Sequence, residues 1–222
     1  MKTLLFATLL FFFYNSSFAE EMGWIGKFKY TDAHSDILAH LYVRDNSPTG
    51  DRVHQTHERT QAITAQLRND NKGYEWFYVL NDRVFRMKMP YLTIKQIAKN
   101  VPQKQRTQMY RTYLTDPLML YYWNKNPEFL LDELTAYHNG TVCAIEDGLG
   151  RKARGKYSYK NFVEMLGFCE VMRRMVNKEY DAKDLDLYLN FMRKRKEEIG
   201  ILVRPLATKK RLIKLLIQKR GE

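Results

Sequence analysis

Residues 54–61 read HQTHERTQ, and four of them carry chemistry: His54, His57, Glu58 and Gln61. They are separated by three, four and seven positions, so on a helix they share one arc and can converge on one point. A divalent metal held from a helix needs ligands one turn apart, with a carboxylate beside the first to act as base. His57 and Gln61 stand at i and i+4, and Glu58 follows His57. Glutamine offers only a neutral amide oxygen, a weaker donor to zinc than imidazole, so this pair predicts a lowered affinity. His54, one turn earlier, can supply a second imidazole or can be a surface histidine. A solvated polar helix face with no metal also fits these four residues.

A second stretch, LLDELTAYHNG at 130–140, supplies a further carboxylate. On a helix Glu133 is flanked at i−4, i−3, i+3 and i+4 by Phe129, Leu130, Ala136 and Tyr137, so it points at an apolar face. A carboxylate buried there must meet a cation or strong donors. A metal shared with the first helix satisfies that need, and so does an ion pair with an arginine such as Arg68. Asp132 lies about 100° round the helix, on a more polar strip with Glu128 and Thr135. Tyr137, one turn past Glu133, can donate to a developing oxyanion or serve as a core tyrosine. His138 falls out of phase with Glu133 and reads as a capping or surface residue.

The elements that must position these groups are mostly helical. A helix opens near Thr49 to Asp51 and runs through Leu67 to Arg68-Asn69. Runs Tyr74 to Leu80 and Arg83 to Met89 read as two strands joined by a two-residue turn at Asn81-Asp82. Short helices follow at Thr93 to Lys99, Gln103 to Leu114 and Asp116 to Trp123. The Glu133 helix is predicted from an Asn126 cap and Pro127 to about His138, stopped by Asn139-Gly140. Patterns at Tyr159 to Glu179 and Ala182 to Ile199 add two more helices. The fold class is α+β, mostly helical, with a small β-hairpin or sheet.

Met1-Lys2, an apolar run from Leu4 to Tyr14 and the small residues before Glu20 predict a signal peptide over 1–19 and one exported domain over 20–222. Export, to the periplasm or outside, makes Cys143 and Cys169 a candidate disulfide, with two buried thiols as the alternative. Their spacing suits no zinc or redox site. The net charge of +12 suggests attraction to anionic envelope polymers or a membrane surface, above all through the basic tail from Lys209 to Arg220. A terminal helix packing its leucines on the core fits that tail equally. No nucleic-acid partner is expected.

His57-Glu58-Arg59-Thr60-Gln61 followed by Asp132-Glu133 through Ala136-Tyr137 resembles the zincin metallopeptidases of the gluzincin type. The chain is also similar to a set of exported bacterial proteins that place such a helix, ending in L-R-N, before a Y-V-L hairpin and a D-E-x-x-A-Y-x-N-G helix. The matching residues are Leu67-Arg68-Asn69, Tyr78-Val79-Leu80 and Asp132 to Gly140. The resemblance covers roughly residues 50–140. It implies a zincin-like fold, zinc as cofactor, His57 and Glu133 as ligands with Gln61 in the second ligand position, and Glu58 as general base. The implied activity is hydrolysis of a peptide or protein substrate. Gln61 departs from the family pattern, and it leaves room for a catalytically silent zincin-like domain that binds peptide or an anionic polymer.

Overall fold

The structure is a computed structural model that describes residues 23–24, 33–39, 51–70, 73–80, 83–150, 152–176 and 181–203. The proposed leader at 1–19 and the basic tail therefore lie outside the described residues, as do Asn81 and Asp82. No described helix is long and apolar enough to cross a membrane.

The helices α1 (Ala33–Ala39), α2 (Arg52–Asp70), α3 (Ile94–Asn100), α4 (Pro117–Trp123), α5 (Glu128–Glu146), α6 (Ala153–Met175) and α7 (Lys183–Val203) dominate. A short helical turn at Gln108–Tyr110 runs into a π turn at Arg111–Thr115. Strands β1 (Gly23–Trp24), β2 (Glu75–Val79) and β3 (Arg83–Met87) form a small antiparallel sheet in the order β1-β3-β2. The α+β expectation, mostly helical with a small sheet, is met. The β2–β3 ladder ends at Val79↔Arg83, so three residues rather than two connect the strands.

The core is organised around α5, which is buried on nearly every side from Phe129 to Ala144. The helix is central despite Asp132, Glu133, His138 and Asn139, whose polar groups must therefore find partners inside. It packs between α2 and α6, with β2 also against it, while α7 lies on α6 and on β3. One cluster of buried apolar side chains extends from Ala33 to Val203 and includes Phe77, Phe85, Leu130, Phe162 and Tyr188.

α2 starts where Asp51 accepts a hydrogen bond from the His54 amide at 3.0 Å, as the capping chemistry predicts. Its inner face is built from Val53, Thr56, Thr60, Ile63 and Thr64. Two of the threonines enter the interior satisfied by their own helix: Thr56 and Thr60 each donate to the carbonyl four residues back, at 2.7 Å. Their small volume also lets the two helices come close. A Cβ placed on Gly140 of α5 stands only 3.2 Å from the Val53 carbonyl oxygen and 3.7 Å from His57 Cβ.

That contact corrects the predicted end of α5. Asn139-Gly140 does not stop the helix, which continues to Glu146; both residues are buried inside it. Gly140 gives α2 room, and Asn139 replaces a cap's local hydrogen bonds with tertiary ones. Asn126 does not cap the helix either, since the N-terminal position falls on Pro127 with no side-chain bond. Cys143 and Cys169 are free and buried rather than bridged. Cys143 Sγ donates to Asp147 at 3.8 Å and Cys169 Sγ to the Leu130 carbonyl at 3.4 Å. Burial pushes the Cys143 thiol up to about 11 and the Cys169 thiol well above its ordinary range.

Candidate functional site

The α2–α5 crossing brings three of the sequence-selected residues together. Gln61 Nε2 donates to Glu133 Oε1 at 2.8 Å, and His57 Nε2 stands 3.4 Å from Glu133 Oε2. Glu133 is buried, as its apolar helical neighbours require. Its Oε2 is shielded from solvent and has no partner of good hydrogen-bond geometry, with His57 Nε2 the near neighbour and the Tyr113 hydroxyl interacting with the same carboxylate.

Tyr137 completes this face of α5. Its ring meets the His57 ring edge-on, with centroids 4.6 Å apart. The Tyr137 hydroxyl is 2.8 Å from that of Tyr113, which the π turn carries to the same spot. Burial raises the Tyr137 phenol to about 12, against a lowering by its bond to Tyr113. Burial, then the negative charge of Glu133, holds the Tyr113 phenol well above its ordinary value. Both phenols are protonated donors at neutral pH.

Glu58 and His54 sit apart from this group. They pair with each other at 3.8 Å across one helical turn, each more than 40% exposed. His54 therefore does not join Glu133 as a replacement imidazole. Glu58 follows His57 on the helix, about 100° round it, and opens to solvent.

Arg68 is the partner of Asp132 and not of Glu133. Its guanidinium bonds the Asp132 carboxylate and, at 2.6 Å, Glu75 of β2. Asp132 is thus buried rather than on a polar strip, and burial raises its carboxyl to about 7 despite Arg68. The other supposed strip residue, Thr135, is also buried and shares a 2.8 Å hydrogen bond with Tyr188.

His138 is a second correction, because it lies in the core rather than at a helix end. Arg195 Nε donates to His138 Nε2 at 3.1 Å, and a guanidinium can only donate. The imidazole is therefore neutral with its proton on Nδ1, which donates to Asn139 Oδ1 at 2.8 Å. Asn139 Nδ2 in turn donates to the Tyr78 carbonyl at 3.1 Å and to Thr60 Oγ1 at 3.2 Å. This buried relay ties α7, α5, β2 and α2 together through Thr60, next to Gln61 in the chain, and His138 and Asn139, which follow Tyr137. Sequence reading missed its members and missed Tyr113. A π turn has no 3.6-residue period to reveal its inward face, and a relay partner 79 positions away leaves no local pattern.

Neither a family model, nor a curated protein, nor a solved structure matches this chain. Among the described residues, no group of three or more His, Cys, Asp or Glu side chains is arranged to hold a metal ion. The closest approach to such a group is His57, Gln61 and Glu133, in which the third member is an amide. Whether this trio suits zinc can be tested on its own spacing. Two donors bound at about 2.0–2.2 Å to one tetrahedral zinc stand about 3.4 Å apart. The His57–Glu133 separation is 3.4 Å, too long for a good hydrogen bond and suited to two ligands of one cation.

Proposed function

We propose that the chain is an exported, zincin-like metallopeptidase whose zinc is held by His57, Glu133 and the amide oxygen of Gln61. The supporting observation is the 3.4 Å gap between His57 Nε2 and the buried Oε2 of Glu133. A buried carboxylate oxygen without a well-placed donor is costly, and a cation beside it removes that cost. Zinc at this point would supply Lewis acidity to a scissile carbonyl. Glu58, next to His57 in the chain, would be the base for the attacking water and the acid for the leaving amine, and to serve there it would have to leave its pairing with His54 and turn toward His57. Tyr137, a neutral donor fixed by Tyr113, is the group placed to stabilise charge on the carbonyl oxygen. To hold zinc the Gln61 amide would have to turn over and present its oxygen, giving up its bond to Glu133 Oε1.

That same bond favours a second reading, a catalytically silent domain that keeps the cleft to bind peptide or an anionic polymer. In it Gln61 satisfies one of the two Glu133 oxygens by hydrogen bonding, without neutralising the carboxylate's charge.

Metal content by mass spectrometry on the purified protein separates the two, measured beside His57→Ala and Glu133→Ala. The peptidase reading expects about one zinc per chain, lost in both variants, and peptide hydrolysis that disappears in Glu58→Gln with zinc retained. A wild type that takes up no zinc from excess, after washing, refutes it and leaves the silent domain.

A further inference from the structure

α4 reads PLMLYYW, seven apolar or aromatic residues in a row, and none of them is buried. Leu118 is 64% exposed, Tyr121 81% and Tyr122 61%. Placing such side chains inside is worth about 1.5–3 kcal/mol each, so a helix of this composition held in water calls for an explanation. Exposed apolar surface of this kind marks a place where something else docks.

One face of the helix, Met119, Leu120 and Trp123, packs against the core, and both ends are fixed, so Leu118, Tyr121 and Tyr122 are left on the outer face. Asp116 accepts from the Leu118 and Met119 amides at 2.9 and 3.1 Å, and Pro117 occupies the first turn. At the other end Trp123 stacks on Phe129 with centroids 4.8 Å apart. Asn124 then receives the Ile94 amide on its carbonyl and the Lys95 amide on its side chain, at 2.9 and 3.1 Å. The patch is thus presented by a fixed frame with its tyrosines outward.

The rim identifies the occupant. Lys95, Lys99, Arg111 and Lys125 are exposed on the segments that frame α4. Of the acids nearby, Asp116 is turned to the helix amides, and Glu128 is only partly exposed. The whole chain carries +12, so a second copy meets a like-charged rim and is repelled. Tyrosine rings with a leucine between lysines suit the boundary of a bilayer, where rings lie at headgroup depth and ammonium groups meet phosphate. We propose that α4 docks the protein on an anionic lipid surface, lying in the interface without crossing it.

Cosedimentation of the full chain with phosphatidylcholine vesicles, with and without phosphatidylglycerol, tests this beside a variant carrying Leu118→Ser, Tyr121→Ser and Tyr122→Ser together. These side chains are exposed, so circular dichroism should show an unchanged fold. The wild type is expected to bind the anionic vesicles, and the variant to bind them about tenfold more weakly. Equal binding by the two proteins assigns attraction to the basic tail and overturns the proposal. So does a wild type that ignores both vesicles, or one that instead self-associates through these residues.

Discussion

Replacing His138 with glutamine should flatten the acid limb of the stability curve. His138 is buried and held neutral by Arg195, with the Arg83 charge nearby, and its imidazole is lowered from 6.5 to about 3, chiefly by burial. Because the folded value lies below the unfolded one, the unfolded chain takes up the proton first as pH falls. The stability contribution is complete above 6.5 and is lost progressively toward about 3. Near pH 5 the loss through this one group is about 2 kcal/mol, at about 1.4 kcal/mol per pH unit. Asp132 acts with the opposite sign. Raised from 3.8 to about 7, it contributes stability that is complete below 3.8 and lost as pH rises toward 7, so the two groups partly cancel in the wild type. The difference between wild type and His138→Gln removes that cancellation, since Asp132 is not among the groups acting on His138. Urea unfolding followed by circular dichroism, from about pH 8 to about pH 5, should give a gap between the two proteins that narrows by about 2 kcal/mol. Glutamine costs stability at every pH by breaking the relay, so only the change in the gap is diagnostic. Parallel curves would mean that His138 is already solvated or charged in the fold, and the buried relay as described would be wrong.

Three further outcomes follow from the α2–α5 crossing. Gln61→His should tighten zinc binding by about tenfold or more, because imidazole is a better donor than an amide, and equilibrium dialysis of zinc measures it. Gly140→Val should cost about 1–3 kcal/mol by overpacking against the Val53 carbonyl, read as a lower melting temperature. By pushing His57 away from Glu133 it should also weaken zinc uptake in the dialysis. Arg68→Met should destabilise by about 2–3 kcal/mol, below the usual cost of orphaning a buried charge because Arg68 keeps some solvent contact. Adding Asp132→Asn should recover part of that loss, and an additive double variant would show that the pair is not coupled.

Helix geometry alone put His57 and Gln61 on one face and turned Glu133 inward, while the crossing of α2 and α5 brings the three together. Side chains four apart share a face whatever the fold, and Phe129, Leu130, Ala136 and Tyr137 force Glu133 inward wherever that helix packs. What failed depended on partners chosen across the chain. Arg68 was within reach of two adjacent acids, and in the fold it takes Asp132 together with Glu75 of β2, a partner that helix geometry cannot reveal. Asn139-Gly140 has the local chemistry of a helix stop, yet the same two residues are what a helix needs where another crosses it closely. Glycine removes a Cβ from the contact, and asparagine reaches across to donate to the Tyr78 carbonyl of β2.

The deepest reason the site was only partly legible lies in α2 itself. A helix that packs on a central core helix ordinarily shows an apolar stripe, but here the buried arc is largely Thr56, Thr60 and Thr64. Read as sequence, that arc belongs to a solvated surface, which is why a bare polar face fitted the histidine stretch so well. It becomes an interior face because the Thr56 and Thr60 hydroxyls bond their own helix, and Thr60 still accepts from Asn139 of α5. Leucines there would bury more apolar area, but they would hold the helices farther apart than the contact at Gly140 allows. The polar inner face of α2 and the 3.4 Å approach of His57 to Glu133 are thus one feature: short side chains set the spacing that the histidine and the carboxylate then use.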